Sequence, residues 1–194
     1  MKLTKEQLNK IVKFAKSHFP KNDQWHQTFH AKKTVELSIG LAKKEKVDIN
    51  KAIIIAWLHD ISKHKELSKI NHGIDAAKIA KNFLKKLEFS NKDILEICYA
   101  IGGHDESGPK KSKQAKIIWD SDKLQCVGPY GLIRNYGYQI DIGKSQKEAY
   151  ETDIIEQKKI INNFYTKTAR RIAKKKFKFM KKFHKHYQDI SNKI

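Results

Sequence analysis

Apolar residues recur along this chain at helical rather than strand spacing. Leu8, Ile11, Val12, Ala15 and Phe19 follow a capping box at Thr4-Lys5-Glu6-Gln7, and Pro20 closes the first predicted helix. A second helix is predicted from about Gln24 to Lys46, with Val35, Leu37, Ser38, Leu41 and Ala42 as its inward stripe. Asp48 caps a third, running from Ile49 to about Ile61. Its stretch Ala52–Leu58 is apolar all round, which predicts a helix buried on most sides. Ile53-Ile54-Ile55 alone would also suit a strand, but the length of the run and its Ala, Trp and Leu neighbours favour helix.

After a polar stretch, Ser62 to Asn71, helix four is predicted over Gly73 to Leu87. Ser90 caps helix five, which carries Ile94, Ile97, Cys98 and Ile101 inward and stops at Gly102-Gly103. Asp105 to Ser112 reads as a loop, and helix six as roughly Lys113 to Val127. Gly128-Pro129 opens a short helix to about Tyr136, with a loop over Gly137 to Gly143. A second capping box, Ser145-Gln146-Lys147-Glu148, starts a helical pattern that reaches about Tyr187, with one break near Tyr165 to Thr168. No segment alternates with period two, so the predicted class is all-α.

Composition adds boundaries. The 194 residues suffice for one domain, or one domain with a helical extension. No apolar run approaches the ~18 residues of a membrane span. The charged N-terminal segment lacks the apolar core of a signal peptide. Two cysteines, Cys98 and Cys126, suggest a reducing compartment, and a cytoplasmic protein is expected. Lys+Arg number 41 against 21 Asp+Glu, a formal charge of +20. Only Arg134, Arg170 and Arg171 are arginine, so the excess is lysine, the less suited group for bidentate phosphate or base recognition. Residues 161–194 carry eleven basic residues and one acid, Asp189. Such a charge attracts polyanions, or merely coats solvated helix faces.

The histidines carry more information. His59-Asp60 ends the most apolar helix, where an imidazole and a carboxylate are costly unless neutralised. A divalent cation does this, since His nitrogen and carboxylate oxygen are standard ligands. His30 shares a helix face with Thr34, Leu37 and Leu41, and Asp122 interrupts the helix Trp119–Leu124. Each alone fits a hydrogen-bonded core residue as well as a ligand. Together, His30, His59, Asp60 and Asp122 form four inward polar groups from three helices, suited to one metal.

At these residues the chain resembles the HD-domain metal-dependent phosphohydrolases, whose signature is H…HD…D. His26-Gln27-Thr28-Phe29-His30 with Lys33 resembles the first ligand motif. Trp57-Leu58-His59-Asp60-Ile61-Ser62-Lys63 resembles the HD core. Asp120-Ser121-Asp122-Lys123-Leu124, then Gly128 and Gly131-Leu132-Ile133-Arg134, resembles a segment of the small bacterial and archaeal subgroup that includes a nucleoside-triphosphate pyrophosphatase. The resemblance implies one HD domain over residues 1–194, a helical bundle with its core at about 24–136 and a C-terminal helical extension at about 145–188. It implies a first metal on His30, His59, Asp60 and Asp122, from among Mn, Fe, Mg, Zn, Ni or Co. His72 and His104 fall in the slots of a second metal, which Asp60 would bridge; the other reading makes His72 a helix cap and His104 a pocket residue.

The implied reaction is hydrolysis of a phosphoester or phosphoanhydride, with a nucleotide as the expected substrate. Lys33, Lys63, Lys123 and Arg134 are the candidate phosphate contacts, and His104, Asp105 and Lys63 the candidate catalytic groups. Lys63 stands where 5′-nucleotidase-like members carry an acid, the Glu-Asp pair of alarmone hydrolases is absent, and so is the Gly-Tyr-Pro element of cyclic-dinucleotide phosphodiesterases. Lys33 replaces a common Arg, and Gln125-Cys126 replace an acid. The rival expectation is a Lys-rich nucleic-acid-binding protein with a vestigial or regulatory metal site. His184-Lys185-His186 suits a solvated helix end or adventitious metal. No membrane partner is expected, and the sequence does not specify an oligomeric state.

Overall fold

The computed structural model describes residues 1–19, 28–63, 72–105 and 110–191. Among these, every regular element is a helix: α1 (Lys5–His18), α2 (Thr28–Glu45), α3 (Ile49–Leu58), α4 (His72–Lys85), α5 (Asn91–Gly102), α6 (Lys113–Lys123), α7 (Pro129–Asp141), α8 (Gln146–Ile161) and α9 (Lys167–Ser191). The all-α class is therefore observed. None of these helices is long and apolar enough to cross a membrane. The backbone forms two compact units, Met1–Ser121 and Asp122–Ile194, with the boundary inside α6.

In the first unit α3 is the central element, packed against α1, α2, α4 and α5. Ile54, Ile55, Ala56 and Leu58 are fully buried, as an all-round apolar helix requires. Burying each Ile or Leu is worth roughly 1.5–3 kcal/mol. Ala76 and Ala80 of α4 and Ile97 and Ile101 of α5 join the same core. Phe14 of α1 stacks on Phe83 of α4 with ring centroids 3.8 Å apart. The caps anticipated at Thr4, Asp48 and Ser90 all accept a backbone N–H.

The second unit packs α7 against both α8 and α9. Gly128, at φ 86°, turns the chain into α7 in a conformation that glycine adopts without strain. Gly131 sits so close to the backbone of Cys126 that a Cβ there would lie 2.3 Å from its carbonyl carbon. Ser145 forms the second capping box with Glu148. Asp153 of α8 is the polar hub of this unit. Its Oδ1 accepts from Asn135 Nδ2 at 2.8 Å and Gln157 Nε2 at 3.4 Å, while Oδ2 faces His184 Nε2 of α9 at 3.2 Å.

Several predicted boundaries move. Helix α3 stops at Leu58 rather than about Ile61, because residues 59–63 turn, with the Lys63 N–H on the Asp60 carbonyl. Helix α6 ends at Lys123 rather than Val127, since the tight approach of Gly131 to Cys126 requires a turn there. Helix α7 runs through Gly137 to Asp141, where a loop was expected, since a single interior glycine costs a helix only about 1 kcal/mol. The break between α8 and α9 falls at residues 162–166, slightly before the predicted position. The expected start of helix two, Gln24 to Gln27, and most of the polar stretch after Lys63 lie outside the described residues.

Candidate metal centre

The chain places His59 and Asp60 where the apolar α3 runs out into a turn. Their side chains are almost fully buried, at 1% and 5% exposure. A carboxylate so placed must be stabilised by what surrounds it. Four histidines do this, all in the first unit. Asp60 Oδ2 faces Nε2 of His30 at 3.5 Å and of His59 at 3.4 Å. Asp60 Oδ1 faces Nε2 of His104 at 3.2 Å and of His72 at 3.5 Å. Lys63 Nζ stands 3.6 Å from Oδ2. One carboxylate therefore offers each oxygen to a different pair of imidazoles.

The rings are aimed by the backbone. His59 Nδ1 donates to the Ala56 carbonyl at 2.9 Å, and His104 Nδ1 donates to the Ile101 carbonyl at 2.7 Å. A carbonyl can only accept, so Nδ1 carries a proton in each ring; Nε2 then donates to Asp60 when the ring is charged, and offers a lone pair to a cation when it is neutral. Both anchors are the carbonyl three residues upstream, at the end of a helix. Burial pushes the Asp60 carboxyl up, but His59, Lys63 and hydrogen bonds from His104 and His30 outweigh it and hold the group well below the usual carboxylate range.

Two residues outside the histidine set shape this arrangement. Ser62 Oγ donates to the His72 carbonyl at 2.5 Å, tying the turn after Asp60 to the start of α4. Gly73 lets that start close onto the end of α5. A Cβ there would meet the carbonyl oxygens of Ile101 and Gly102 at 3.1 Å and Asp105 Oδ2 at 3.2 Å. His72 can then reach His104, with Nε2 atoms 3.1 Å apart. Sequence reading missed both roles; a small polar residue two after Asp60 and a glycine beside His72 were the available signals.

The donor chemistry suits a divalent cation. His59, Asp60 and His104 each present one ligand atom within 4.8 Å of the others. Imidazole and carboxylate donors of this type suit Mn, Fe, Co, Ni or Zn. Of the other candidates, Asp105 follows His104 directly and lies over Gly73. Lys33 is on the exposed side of α2, paired with Glu36 at 2.7 Å. Asp122, Lys123 and Arg134 belong to the second unit. There Lys123 Nζ lies 3.2 Å from Asp122 Oδ2, and the buried Arg134 directs Nη1 to Cys126 Sγ at 3.8 Å. The cysteines are both reduced.

Comparison with known proteins agrees with this picture. The HD domain family model matches residues 29–126. A predicted HD superfamily hydrolase from an uncultured Thermotogales bacterium is 26% identical, with a TM-score of 0.72, over 94% of this chain and 91% of that one. Bacillus subtilis YpgQ in complex with ADP is 18% identical, with a TM-score of 0.77, over 94% of this chain and 97% of that one. An HD-superfamily hydrolase from Bacillus thuringiensis is 18% identical, with a TM-score of 0.78, over 96% and 97%. A search of curated proteins finds no match. The matched segment takes in half of the sequence, including His30, His59, Asp60 and Asp122, and on that ground this protein belongs to the HD domain family.

Proposed function

We propose that the protein is a metal-dependent phosphohydrolase that acts on a nucleotide. The observation that carries this reading is the division of Asp60 between two pairs of histidines. His30, His59 and Asp60 would hold one ion, and the sequence pattern adds Asp122 to that set. His72 and His104 would hold a second, with Asp60 shared between them. A bound divalent ion supplies a Lewis acid for the phosphoryl oxygens and a water acidic enough to ionise near neutral pH.

The chain's own groups do the rest. The Nδ1 anchors of His59 and His104 keep Nε2 of each ring available as a ligand atom. Lys63, partly exposed beside Asp60, offers its ammonium to a phosphate oxygen. Asp105 or His104 would exchange a proton with the leaving group. Lys33, Lys123 and Arg134 remain the further candidates for phosphate. The bound ADP of Bacillus subtilis YpgQ, a protein of the same fold, supports a nucleotide as substrate.

The test is release of phosphate or pyrophosphate from a nucleotide panel with Mn²⁺. Activity should vanish with EDTA and return with the ion, and Asp60→Ala should fall at least a thousandfold. An Asp60→Ala variant as active as the wild type overturns the reading.

One observation favours a second activity, nucleic-acid binding. Lys167, Arg171, Lys174, Lys178, Lys181 and Lys185 recur at alternating four- and three-residue steps, all exposed, along about 27 Å of α9. A stripe of like charges at this spacing weakens a helix unless a polyanion neutralises it. Binding to a 20-nucleotide strand should fall steeply with salt and be lost in a triple Lys174→Glu, Lys178→Glu, Lys181→Glu variant. Salt-independent binding, or none at low salt, removes this reading.

A further inference from the structure

A cavity of about 770 Å³ opens in the first unit, and none of the histidine-cluster residues lines it. Its size is that of a pocket for a small organic ligand. Helix α3 links the two places: Asp48, its N-cap, is in the cavity wall, while His59, its C-cap, lies in the cluster about 16 Å along the axis.

The lining separates into an apolar floor and a cationic rim. Leu95 and Tyr99 lie one turn apart on α5, 61% and 39% exposed, with Cys98 beside them. Lys46, Lys81 and Lys113 come from three separate segments: the turn just after α2, α4 and the start of α6. Among the described residues none of the three makes an ion pair. The acids of the wall have cationic partners of their own. Glu96 shares the Lys51 ammonium with Asp93, at 2.5 and 2.8 Å, and Asp48 pairs with the Met1 ammonium at 2.7 Å. The unopposed charge of the lining is therefore positive, beside an exposed apolar pair. Three segments of the chain contribute it, so it is not the solvated face of a single helix.

We propose that this cavity binds a flat aromatic ring carrying an anionic group, with the ring on Leu95 and Tyr99 and the anion held by Lys46, Lys81 and Lys113. Stacking and apolar contact would seat the ring, and the ammonium groups would select the charge. A nucleoside monophosphate and an aromatic carboxylate share this chemistry.

The probe is 1-anilinonaphthalene-8-sulfonate, titrated by fluorescence into the full chain kept in EDTA. Saturable binding is expected, weakened at least tenfold by Leu95→Glu and by the double variant Lys81→Glu, Lys113→Glu. These positions are exposed, and thermal unfolding checks that the variants stay folded. Asp60→Ala should bind the probe as the wild type does, which separates this site from the proposed metal chemistry. A second readout is the rate of thiol labelling at Cys98 in a Cys126→Ser background. Burial pushes the Cys98 thiol up to about 11, so the rate is read at pH 9. Saturating probe should slow it at least tenfold. Displacement by adenosine monophosphate or by benzoate supports the site and tells a nucleotide from an aromatic acid. Probe affinity unmoved by the variants, an unprotected Cys98, or full displacement by inorganic phosphate alone would each overturn the proposal.

Discussion

His104 Nε2 stands 3.1 Å from His72 Nε2 and 3.2 Å from Asp60 Oδ1, while its own Nδ1 is committed to the Ile101 carbonyl. The Nε2 lone pair of a neutral His104 and a carboxylate oxygen repel at such a distance unless positive charge lies between them. A proton or a cation fills that role, and the proposed second ion rests on this relationship. Wild-type protein equilibrated with Mn²⁺ should carry two equivalents, His104→Ala one, and Asp60→Ala none. Elemental analysis after gel filtration measures this. Two equivalents retained in His104→Ala would remove His104 from the ligand set.

The approach of α4 to α5 is set by Gly73. Its Cβ would press on two backbone carbonyls, which cannot rotate aside. Gly73→Ala should cost roughly 1–3 kcal/mol in urea unfolding. It should also withdraw His72 from His104. Ser62→Ala leaves the packing alone but frees the His72 carbonyl. Its expected effect is a loss of roughly 10–100-fold in affinity for the second ion, with little change in the first. Metal titration by calorimetry distinguishes the two outcomes.

In the second unit, Asp153 is buried to 1% exposure and serves Asn135, Gln157 and His184 at once. Removing one member of a buried charged network strands the others. Asp153→Ala should lower stability by roughly 3–5 kcal/mol. Asp153→Asn keeps an acceptor for Asn135 and Gln157 and places an amide donor before His184. It should cost less than half as much, and urea denaturation compares the pair.

Lys51 predicts a pH dependence with two flanks. Its Nζ lies 2.8 Å from Asp93 and 2.5 Å from Glu96. The hydrogen bond from Lys51 lowers the Asp93 carboxyl, so its contribution is present above about pH 4 and lost as pH falls through the lowered native value. Burial pulls the Lys51 ammonium down, but its bonds to Asp93 and Glu96 outweigh this and raise it. That contribution is present below about pH 10 and lost as pH rises through the raised value. Lys51→Met should therefore destabilise by roughly 1–2 kcal/mol between these limits. The difference should close at both ends in urea unfolding at stepped pH. A constant difference across the range would show that the loss is one of packing.

The helices were legible in the sequence because their signals are local. Period-3.6 stripes, the caps at Thr4, Asp48, Ser90 and Ser145, and the all-round apolar run of α3 each depend on neighbours within one or two turns. The histidines and Asp60 were legible as chemistry because buried polar groups beside an apolar run need compensation. The end of α6 was not, since a tight backbone approach between Gly131 and Cys126 outranks local propensity there, nor was the end of α7, since one interior glycine is too weak a stop to end a helix. Residue types and spacing were thus determined by the sequence alone. The tertiary structure decided that the two oxygens of one carboxylate face different histidine pairs. That outcome depends on residues far apart in the chain, on ring orientations set by the Ala56 and Ile101 carbonyls, and on a glycine that lets two helix ends meet.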